Sequence, residues 1–339
     1  MKKITKYIPT IILTLLCSCS DYLDIVPDNV TTLDIVFNNR NTAERYLANC
    51  YHFVPDHGSV KRIPGMGAGH ECWFYTTNDS HFDNEVSFYI ARGLQNIDAP
   101  YANYWDGEGG SNLPMFRAIR ECNIFLDYVR DQHKVNDLTD SERKRWIAEV
   151  NVLKAYYHFF LFEHYGPIPI VDQRLPQSTM PEDMPGRSHY DYVVDYIVKK
   201  LDDAAPNLPE AGNADDWGRA TSTAAKAIKG RVLLYTASDL WNGKFPYPNW
   251  KNTNYETPGY GKELVSHTYD PQKWQRALEA NLDALQYAEK EGGRSLVDMD
   301  NLPRTLADVP VPYIPGVDTS TKEGQEFAKR VLMLRTIVN

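Results

Sequence analysis

The residues best suited to hold a ligand lie in a long irregular stretch of the N-terminal third. Trp73, Tyr75 and Asn78 place two flat aromatic rings and one amide close together. Sugar rings present apolar C–H faces and polar hydroxyl edges, so a sugar site needs flat aromatic side chains and polar groups beside them. We therefore predict a glycan-binding site at these three residues, with Trp105 and Trp250 as lesser candidates on other loops. The alternative is that Trp73 and Tyr75 only anchor their loop.

Other reactive side chains do not form a known catalytic or metal-binding pattern. His158, Glu163 and His164 lack the HExxH spacing of zinc proteases, because their positions scatter them around a helix. The acidic residues closest to a calcium loop also lack its spacing, and they are Asp79, Asp83 and Glu85. No Ser/His/Asp or Cys/His arrangement is recognisable by motif. We therefore predict no catalytic residue, no metal site and no cofactor.

Three cysteines follow the N-terminal segment, at Cys50, Cys72 and Cys122. Their spacing matches no zinc pattern. One pair could form a disulfide in an oxidising compartment, which would leave an odd thiol. We favour buried free thiols, because Cys50 and Cys122 fall on apolar faces of predicted helices.

The N-terminus has the pattern of a lipoprotein leader. Three lysines among the first six residues precede an apolar run from Ile8 to Leu16, which is too short to span a bilayer and is typical of a signal-peptide core. The letters LCSC, which end at Cys19, then resemble a bacterial lipobox. We predict that residues 1–18 are a signal peptide and that Cys19 carries acyl chains, several of which hold a protein at a membrane far better than one. Ordinary secretory cleavage is the alternative.

Charge and hydropathy narrow the classes of partner. The chain has 339 residues, a formal net charge of -9 and 42% hydrophobic residues. An acidic surface without a cluster of Lys and Arg repels nucleic-acid phosphates, so we expect no nucleic-acid partner. No segment after the leader is long and apolar enough to span a bilayer. We therefore expect the lipid to be the only attachment to the membrane.

The elements that must position these side chains are predicted to be helices. Thr139 and Glu142 have the spacing of a capping box, which predicts a helix start, and Gly166-Pro167 predicts its end. Apolar residues recur at helical spacing in this segment and in the others. The stripes expected to face the core include Trp146, Val150, Leu153, Tyr157 and Phe160 in this helix, and Trp274, Leu278, Leu282 and Leu285 in a later one.

Helices that recur in pairs predict a mainly α fold, a tetratricopeptide-like scaffold of helical repeats. Long irregular loops interrupt it at residues 57–110 and 241–270, and both loops are rich in aromatic residues. Strand signals are few, and Ile168 to Val171 is the strongest. The small residues Ala224, Ala227 and Gly230 are expected to let their helix approach a neighbour closely.

Two segments resemble the signatures of the SusD/RagB family of nutrient-binding lipoproteins. Ala148-Glu149, Leu153 to Phe159 and Tyr165 to Pro169 resemble the first signature, "AE…RAYYYF…YGxVP". Trp217 to Thr221 and Ala224 to Tyr235 resemble the second, "GRATKxAAxALKARVYLY". The departures are mild: Lys stands for the usual Arg at position 154, and Ser for the common Lys at position 222.

The resemblance implies a tetratricopeptide-like helical scaffold at the cell surface, attached to the outer membrane by lipid and facing outside. It implies partnership with a SusC-like TonB-dependent transporter, and capture of a glycan, or in some members a peptide, without bond making. It also places ligand contacts in the early aromatic segment. Family members are usually much longer, so we expect residues 19–339 to be a SusD-like domain truncated at its C-terminus.

Two alternative functions stay open at the level of sequence. A tetratricopeptide-like scaffold could bind a peptide or a protein in its concave face. A lipid-anchored glycoside hydrolase would need two positioned carboxylates. The aromatic loops favour the nutrient-binding lipoprotein over the first alternative, and the lack of a catalytic motif disfavours the second.

Overall fold

The computed structural model describes residues 32–58, 64–69, 86–107, 113–296 and 309–338. Within these ranges all regular elements are helical, apart from two isolated β-bridges that pair Lys251 with Glu263 and Thr257 with Gly261. The prediction of a mainly α fold with little β is confirmed. In the same ranges, no helix combines the length and the apolar character needed to cross a membrane.

The chain divides into two compact units, residues 1–284 and 285–339. The helices of the first unit are α1 (Leu33–Val36), α2 (Arg40–Tyr51), α3 (Pro64–Ala68), α4 (Val86–Ala91), α5 (Met115–Arg130), α6 (Asp140–Tyr165), α7 (Tyr190–Ala204), α8 (Ser222–Ala237) and most of α9 (Gln272–Lys290). Short 3-10 turns occupy Pro181–Asp183, Ala205–Asn207 and Asp239–Trp241. The second unit contains α10 (Lys322–Val338), in which Ala328 and Met333 are buried and Phe327 is exposed.

Helix α6 is the centre of the first unit. It packs against α5 and α7, and α7 packs in turn against α8, which agrees with the prediction that helices pair. Its start is the predicted capping box, in which the Thr139 hydroxyl accepts from the Glu142 N–H and the Glu142 carboxylate accepts from the Thr139 N–H. Its end is Gly166, whose φ of 65° is readily adopted only by glycine.

Around α6, the core contains the stripe that the sequence predicts for this helix, together with buried residues of α5. The buried members from α5 and α6 include Met115, Ile119, Leu126, Trp146, Val150, Leu153, Tyr157 and Phe160. Cys50 and Cys122 are buried free thiols in this core, as expected. A hydrogen bond with Cys122, together with burial, raises the pKa of Cys50 well above its usual value.

The two signature segments meet in a buried ion-pair network. The Glu149 side chain is fully buried and accepts hydrogen bonds from Arg219 Nη2 and Nε, both at 2.9 Å. Arg145 Nε donates to the same carboxylate at 2.9 Å, and the Tyr51 hydroxyl donates at 2.8 Å. Because Arg219 precedes α8 and Tyr51 ends α2, Glu149 joins three segments. The signature residues therefore hold the scaffold together.

The predicted strand at Ile168 to Val171 is absent, and the segment is irregular. The backbone groups of this segment form hydrogen bonds with side chains and with a neighbouring loop, and not with a second strand. The Val171 N–H donates to His158 Nε2 at 3.3 Å, and the Val171 carbonyl accepts from Asn123 at 3.1 Å. The Ile168 carbonyl accepts from the Ser188 N–H at 2.9 Å. Short apolar runs do not reveal such partners, so the strand prediction was wrong.

Helix α9 turns a different face inward from the one predicted. Ala277 and Ala280 are buried, whereas Trp274, Leu278 and Leu282 are 43%, 54% and 46% exposed. The reason is a close approach to α8, where Asn281 Nδ2 donates to the Gly230 carbonyl at 3.0 Å.

Gly230 makes this approach possible, as the sequence predicts. A Cβ atom at this position would lie 2.7 Å from Asn281 Oδ1. Ala227, which was expected to serve the same purpose, is exposed. Only part of the small-residue prediction is therefore correct.

Candidate functional site

A cleft of about 660 Å³ opens where the C-terminal turn of α6 meets the loop that follows α8. We call it the aromatic cleft, because most of its large lining side chains are aromatic. They are Tyr165, Tyr235, Trp241, Phe245, Tyr247 and Trp250. Glu163, His164 and Asn249 supply polar groups to the same lining. The volume lies within the range of roughly 300–1,000 Å³ that is usual for small-ligand sites.

The floor of the aromatic cleft depends on the residue that ends α6. A Cβ atom on Gly166 would come within 2.9 Å of the Trp241 ring and 3.6 Å of the Trp250 ring. The missing side chain therefore lets both rings lie against the end of the helix. Gly166 has two functions, since its left-handed backbone also stops α6.

A continuous stack of rings holds the cleft wall in place. Trp241 stacks on Tyr190 with 4.2 Å between ring centroids, and Phe245 stacks on Trp241 at 5.2 Å. Trp250 then stacks on Phe245 at 5.4 Å with an interplanar angle of 15°. Tyr190 and Trp241 are buried, so they fix the inner end of the stack, and Trp250 at the outer end is half-buried.

The most exposed ring of the cleft is Tyr247. It contacts Phe245 edge-on at 5.7 Å and is 67% exposed. Exposed aromatic rings beside a rigid stack offer flat surfaces to a ligand without a large loss of side-chain entropy. This is the arrangement that the apolar face of a sugar ring requires.

Burial shifts the pKa values of two polar groups at the rim of the cleft. Burial raises the pKa of Glu163, although its ion pair with Arg231 Nη2 at 2.8 Å acts in the opposite direction. Burial lowers the pKa of His164, whose Nδ1 donates to the Phe160 carbonyl at 2.7 Å. His164 is therefore neutral near pH 7, and its Nε2 is an acceptor. The rim offers acceptors and amide donors for hydroxyl groups.

Arg187 lies between Trp250 of the cleft and a second tryptophan, Trp105. Its guanidinium carbon lies over the Trp105 ring at 5.1 Å and over the Trp250 ring at 5.9 Å. Arg187 Nη1 also donates to the Pro167 carbonyl at 2.5 Å. The Trp105 ring contacts Tyr165 edge-on at 5.5 Å. Two tryptophans that are far apart in the sequence are thus held beside one another.

The predicted site residues divide between described and undescribed parts of the chain. Trp250 lines the aromatic cleft, and Trp105 lies next to it across Arg187. Trp73, Tyr75, Asn78 and the lipidation candidate Cys19 lie outside the described residues. The sequence identified the loop 241–270 as aromatic, but it did not single out Tyr247 or Phe245. The close spacing of the aromatic residues between 241 and 250 is the signal that indicates them.

The described lining of the cleft combines aromatic rings with few groups that could cleave a bond. Among the described residues that line it, Glu163 is the only carboxylate, and it is paired with Arg231. Glycoside hydrolysis usually needs two carboxyl groups on opposite sides of the bond. In the described ranges, no group of three or more His, Cys, Asp or Glu side chains is placed to hold a metal ion.

The chain is similar to a known protein family. A family model named SusD-like_3, described as starch-binding and associating with the outer membrane, matches residues 21–234. A curated SusD-like protein of Bacteroides ovatus is 23% identical over 229 residues, which cover 67% of this chain and 38% of that protein.

Solved structures resemble the chain over most of its length. The protein BT4246 is 36% identical, with a TM-score of 0.69 over 88% of this chain and 48% of that one. A SusD-like protein from Bacteroides fragilis, BF3747, has a TM-score of 0.51 at 18% identity and covers 80% of this chain and 41% of that one. This second likeness concerns the fold alone. The chain spans about half of these relatives, or less.

Proposed function

The chain belongs to the SusD-like family, whose model is described as starch-binding and associating with the outer membrane, and from this premise we propose that it is a cell-surface lipoprotein that binds a glycan in the aromatic cleft. The observation that carries the proposal is the stack of rings ending at Trp250, with the exposed Tyr247 beside it. The rings contact the sugar faces, while Asn249, Glu163 and His164 meet the hydroxyl edges.

The proposed action is capture without bond making, followed by delivery to a SusC-like TonB-dependent transporter. The N-terminal pattern supports a lipid on Cys19 as the attachment to the outer membrane, with the protein facing outside the cell. Trp73, Tyr75 and Asn78 remain part of the proposed site, because they combine the same residue types. Trp105 extends the aromatic surface through Arg187.

Binding at the cleft is tested with a double variant. Tyr247→Ala with Trp250→Ala is compared with wild type by isothermal titration against starch and a panel of other neutral polysaccharides. We expect wild type to bind at least one of them and the double variant to lose that binding while its circular dichroism is unchanged. Trp217→Ala with Tyr192→Ala is the matched control, because both side chains are exposed and outside the cleft.

Two results would contradict the proposed cleft. If the folded double variant binds as tightly as wild type, the site lies at Trp73, Tyr75 and Asn78 instead. The variant Trp73→Ala with Tyr75→Ala then tests that position. Release of shorter sugars by the pure protein would indicate the glycoside hydrolase instead. Reducing-end measurements on the same panel make this distinction.

The membrane and transporter steps have separate tests. Cys19→Ala should release the mature protein from the outer membrane or leave it unprocessed, and fractionation of cells measures this. Affinity purification from native membranes should recover a TonB-dependent barrel with wild type. Recovery of another protein or a peptide, without any such barrel, would favour the alternative in which the tetratricopeptide-like scaffold binds a peptide or a protein.

A further inference from the structure

A second site lies beside the aromatic cleft, between the first turns of α5 and the connector that follows α6. It is a groove of about 560 Å³, which we call the arginine groove. The lining residues that matter here are Trp105, Phe116, Arg117, Arg120, Arg174 and Gln177. Three arginines in one groove are unusual for a chain with a formal net charge of -9.

The arginines are only partly neutralised by their surroundings. Arg120 Nη1 donates to the Leu175 carbonyl at 2.8 Å, so its charge meets a neutral acceptor. Arg174 Nε lies 3.9 Å from the Asp127 carboxylate, and both side chains are more than one-third exposed. Among the residues that the structure describes, none gives Arg117 a carboxylate partner. Asp106 is the one carboxylate in the described lining. The groove therefore has an excess of positive charge.

The positions of these arginines are fixed by the fold. Arg117 and Arg120 lie one turn apart on α5, which presents them on the side of the connector. Below them, the buried Asn123 donates to the Val171 carbonyl at 3.1 Å and accepts from Lys154 Nζ at 2.7 Å. These bonds hold the connector against α5. The groove is therefore preformed by contacts that do not involve the arginine charges.

The groove also contains an aromatic wall suited to a sugar ring. Trp105 and Phe116 contact each other edge-to-face, with 4.7 Å between ring centroids. Trp105 in turn contacts Tyr165 of the aromatic cleft, and Arg187 lies over both Trp105 and Trp250. The rings thus form a continuous surface from the cleft to the groove.

We infer that the arginine groove binds an acidic unit of the glycan, a sugar that carries a carboxylate or a sulfate. Arginine pairs with such groups through two parallel N–H···O bonds, a geometry that lysine does not offer. The rings of Trp105 and Phe116 contact the sugar face, and the three guanidinium groups hold the anionic substituent. This inference rests on the proposed glycan binding and adds the chemical class of the ligand.

The test compares each acidic oligosaccharide with its neutralised form. Galacturonate oligomers are measured against their methyl esters, and carrageenan oligomers against the desulfated sugars, by isothermal titration with the whole chain. We expect the acidic member of at least one pair to bind about tenfold tighter or more, a preference that weakens as salt increases. The first pair identifies a carboxylate ligand and the second a sulfate ligand.

Variants assign that preference to the groove. Arg117→Gln with Arg174→Gln should abolish the preference for the acidic member and keep binding of its neutral form. The matched control is Lys199→Gln with Arg276→Gln, which removes the same charge from exposed ion pairs elsewhere. The control should keep the full preference. Arg117→Glu is a second variant that should abolish the preference without altering any described ion pair, because it too cancels the excess of positive charge in the described lining.

The outcomes separate this inference from the proposed function. Equal affinity for the acidic and neutral members of both pairs would overturn the inference that the groove binds an acidic sugar. In that case, loss of neutral glycan binding in the cleft variant would still support the proposed function. An acidic preference retained by the arginine variants would also overturn this inference. Failure of every neutral and acidic glycan to bind would overturn the proposed function as well.

Discussion

The signature network around Glu149 and the aromatic cleft around Trp250 use their side chains in opposite ways. Glu149 is fully buried, and its partners Arg145, Arg219 and Tyr51 all donate to its carboxylate. The cleft instead leaves Tyr247 mostly exposed at the end of a rigid stack. The recognisable motifs of the sequence thus build the scaffold and supply Tyr165 and Tyr235 to the cleft, while the most exposed ring of the proposed ligand surface, Tyr247, lies on a loop with no signature.

The difference matters for interpreting substitutions. Removing one partner of a buried ion pair leaves an uncompensated charge, whereas removing an exposed ring leaves the fold intact. Changes in the network should therefore alter stability, and changes in the cleft should alter binding. The following predictions test this division, beginning with the largest expected change in stability.

Glu149→Ala should lower the free energy of unfolding by about 3 kcal/mol, the lower end of the roughly 3–5 kcal/mol for breaking a buried pair, because Arg145 and Arg219 keep Asp216 as a partner. Chemical denaturation followed by circular dichroism measures the change. Glu263→Ala is the matched control, since its pair with Lys251 is exposed and should contribute no more than about 1 kcal/mol. Equal stability of the two variants would mean that the network does not hold the scaffold.

Tyr157→Ala should cost about 3 kcal/mol, the loss typical of a large aromatic residue in a packed core. Tyr157 is fully buried, and its hydroxyl donates to the Cys50 carbonyl at 2.5 Å. Tyr157→Phe removes only the hydroxyl and should cost about 1 kcal/mol. Thermal unfolding of both variants separates packing from hydrogen bonding, and a wild-type melting temperature for Tyr157→Ala would contradict the buried position.

The loss of stability at acidic pH should depend on the protonation of Asp172. Burial alone raises the pKa of this carboxyl, but hydrogen bonds and charges from Lys154 and Lys200 outweigh it and lower the pKa to about 2. A lowered pKa stabilises the folded state above the unfolded value of about 3.9, and this stability is lost as pH falls toward 2. Burial also lowers the pKa of Lys154, because it disfavours the charged ammonium. The cost of burying this charge offsets part of the stability that the ionised Asp172 contributes.

Asp172→Asn should therefore lose about 1 kcal/mol near neutral pH and little at pH 2, a small value because the side chain is 45% exposed. Denaturation at a series of pH values measures both limits. Asp203→Asn is the control, because it breaks only the exposed pair with Lys199. A variant that lost the same stability at every pH would remove the ion pair as the explanation.

The smallest change in stability is expected at the cleft. Tyr247→Ala should change the free energy of unfolding by less than about 0.5 kcal/mol. It should nevertheless weaken glycan binding by about 0.5–1.5 kcal/mol, the usual contribution of one aromatic contact. Titration and denaturation of the same preparation test both parts. A destabilised Tyr247→Ala with unchanged affinity would reverse the comparison between the two regions.

Much of the fold could be predicted because its signals are local. The capping box at Thr139 and the stop at Gly166 depend on residues that are neighbours in sequence, and both are present in the structure. At the start of α7, the His189 side chain caps the helix by accepting from the Asp191 N–H. Lys154, where the family usually has Arg, reaches Asn123 and Asp172 from the core.

The candidate site could be predicted only in part. Aromatic loop residues were recognisable by type, and Trp105 and Trp250 were named from the sequence. Their meeting at Arg187 was not predictable, because it depends on how the connector returns across α6. Nor did spacing show that Arg117 and Arg174 face the same groove from different segments.

The sequence by itself determined the longer helices, most of their buried stripes and the family resemblance, because helix starts, stops and apolar periodicity are properties of neighbouring residues. It did not reveal the short helices α3 and α4, which lie in the stretch 57–110 that was expected to be an irregular loop. Tertiary structure decided which long-range partners meet. Glu149 meets Arg219 across 70 residues, and α9 buries its alanines because Gly230 admits Asn281. Such contacts depend on how packed helices fill space, which no local pattern encodes.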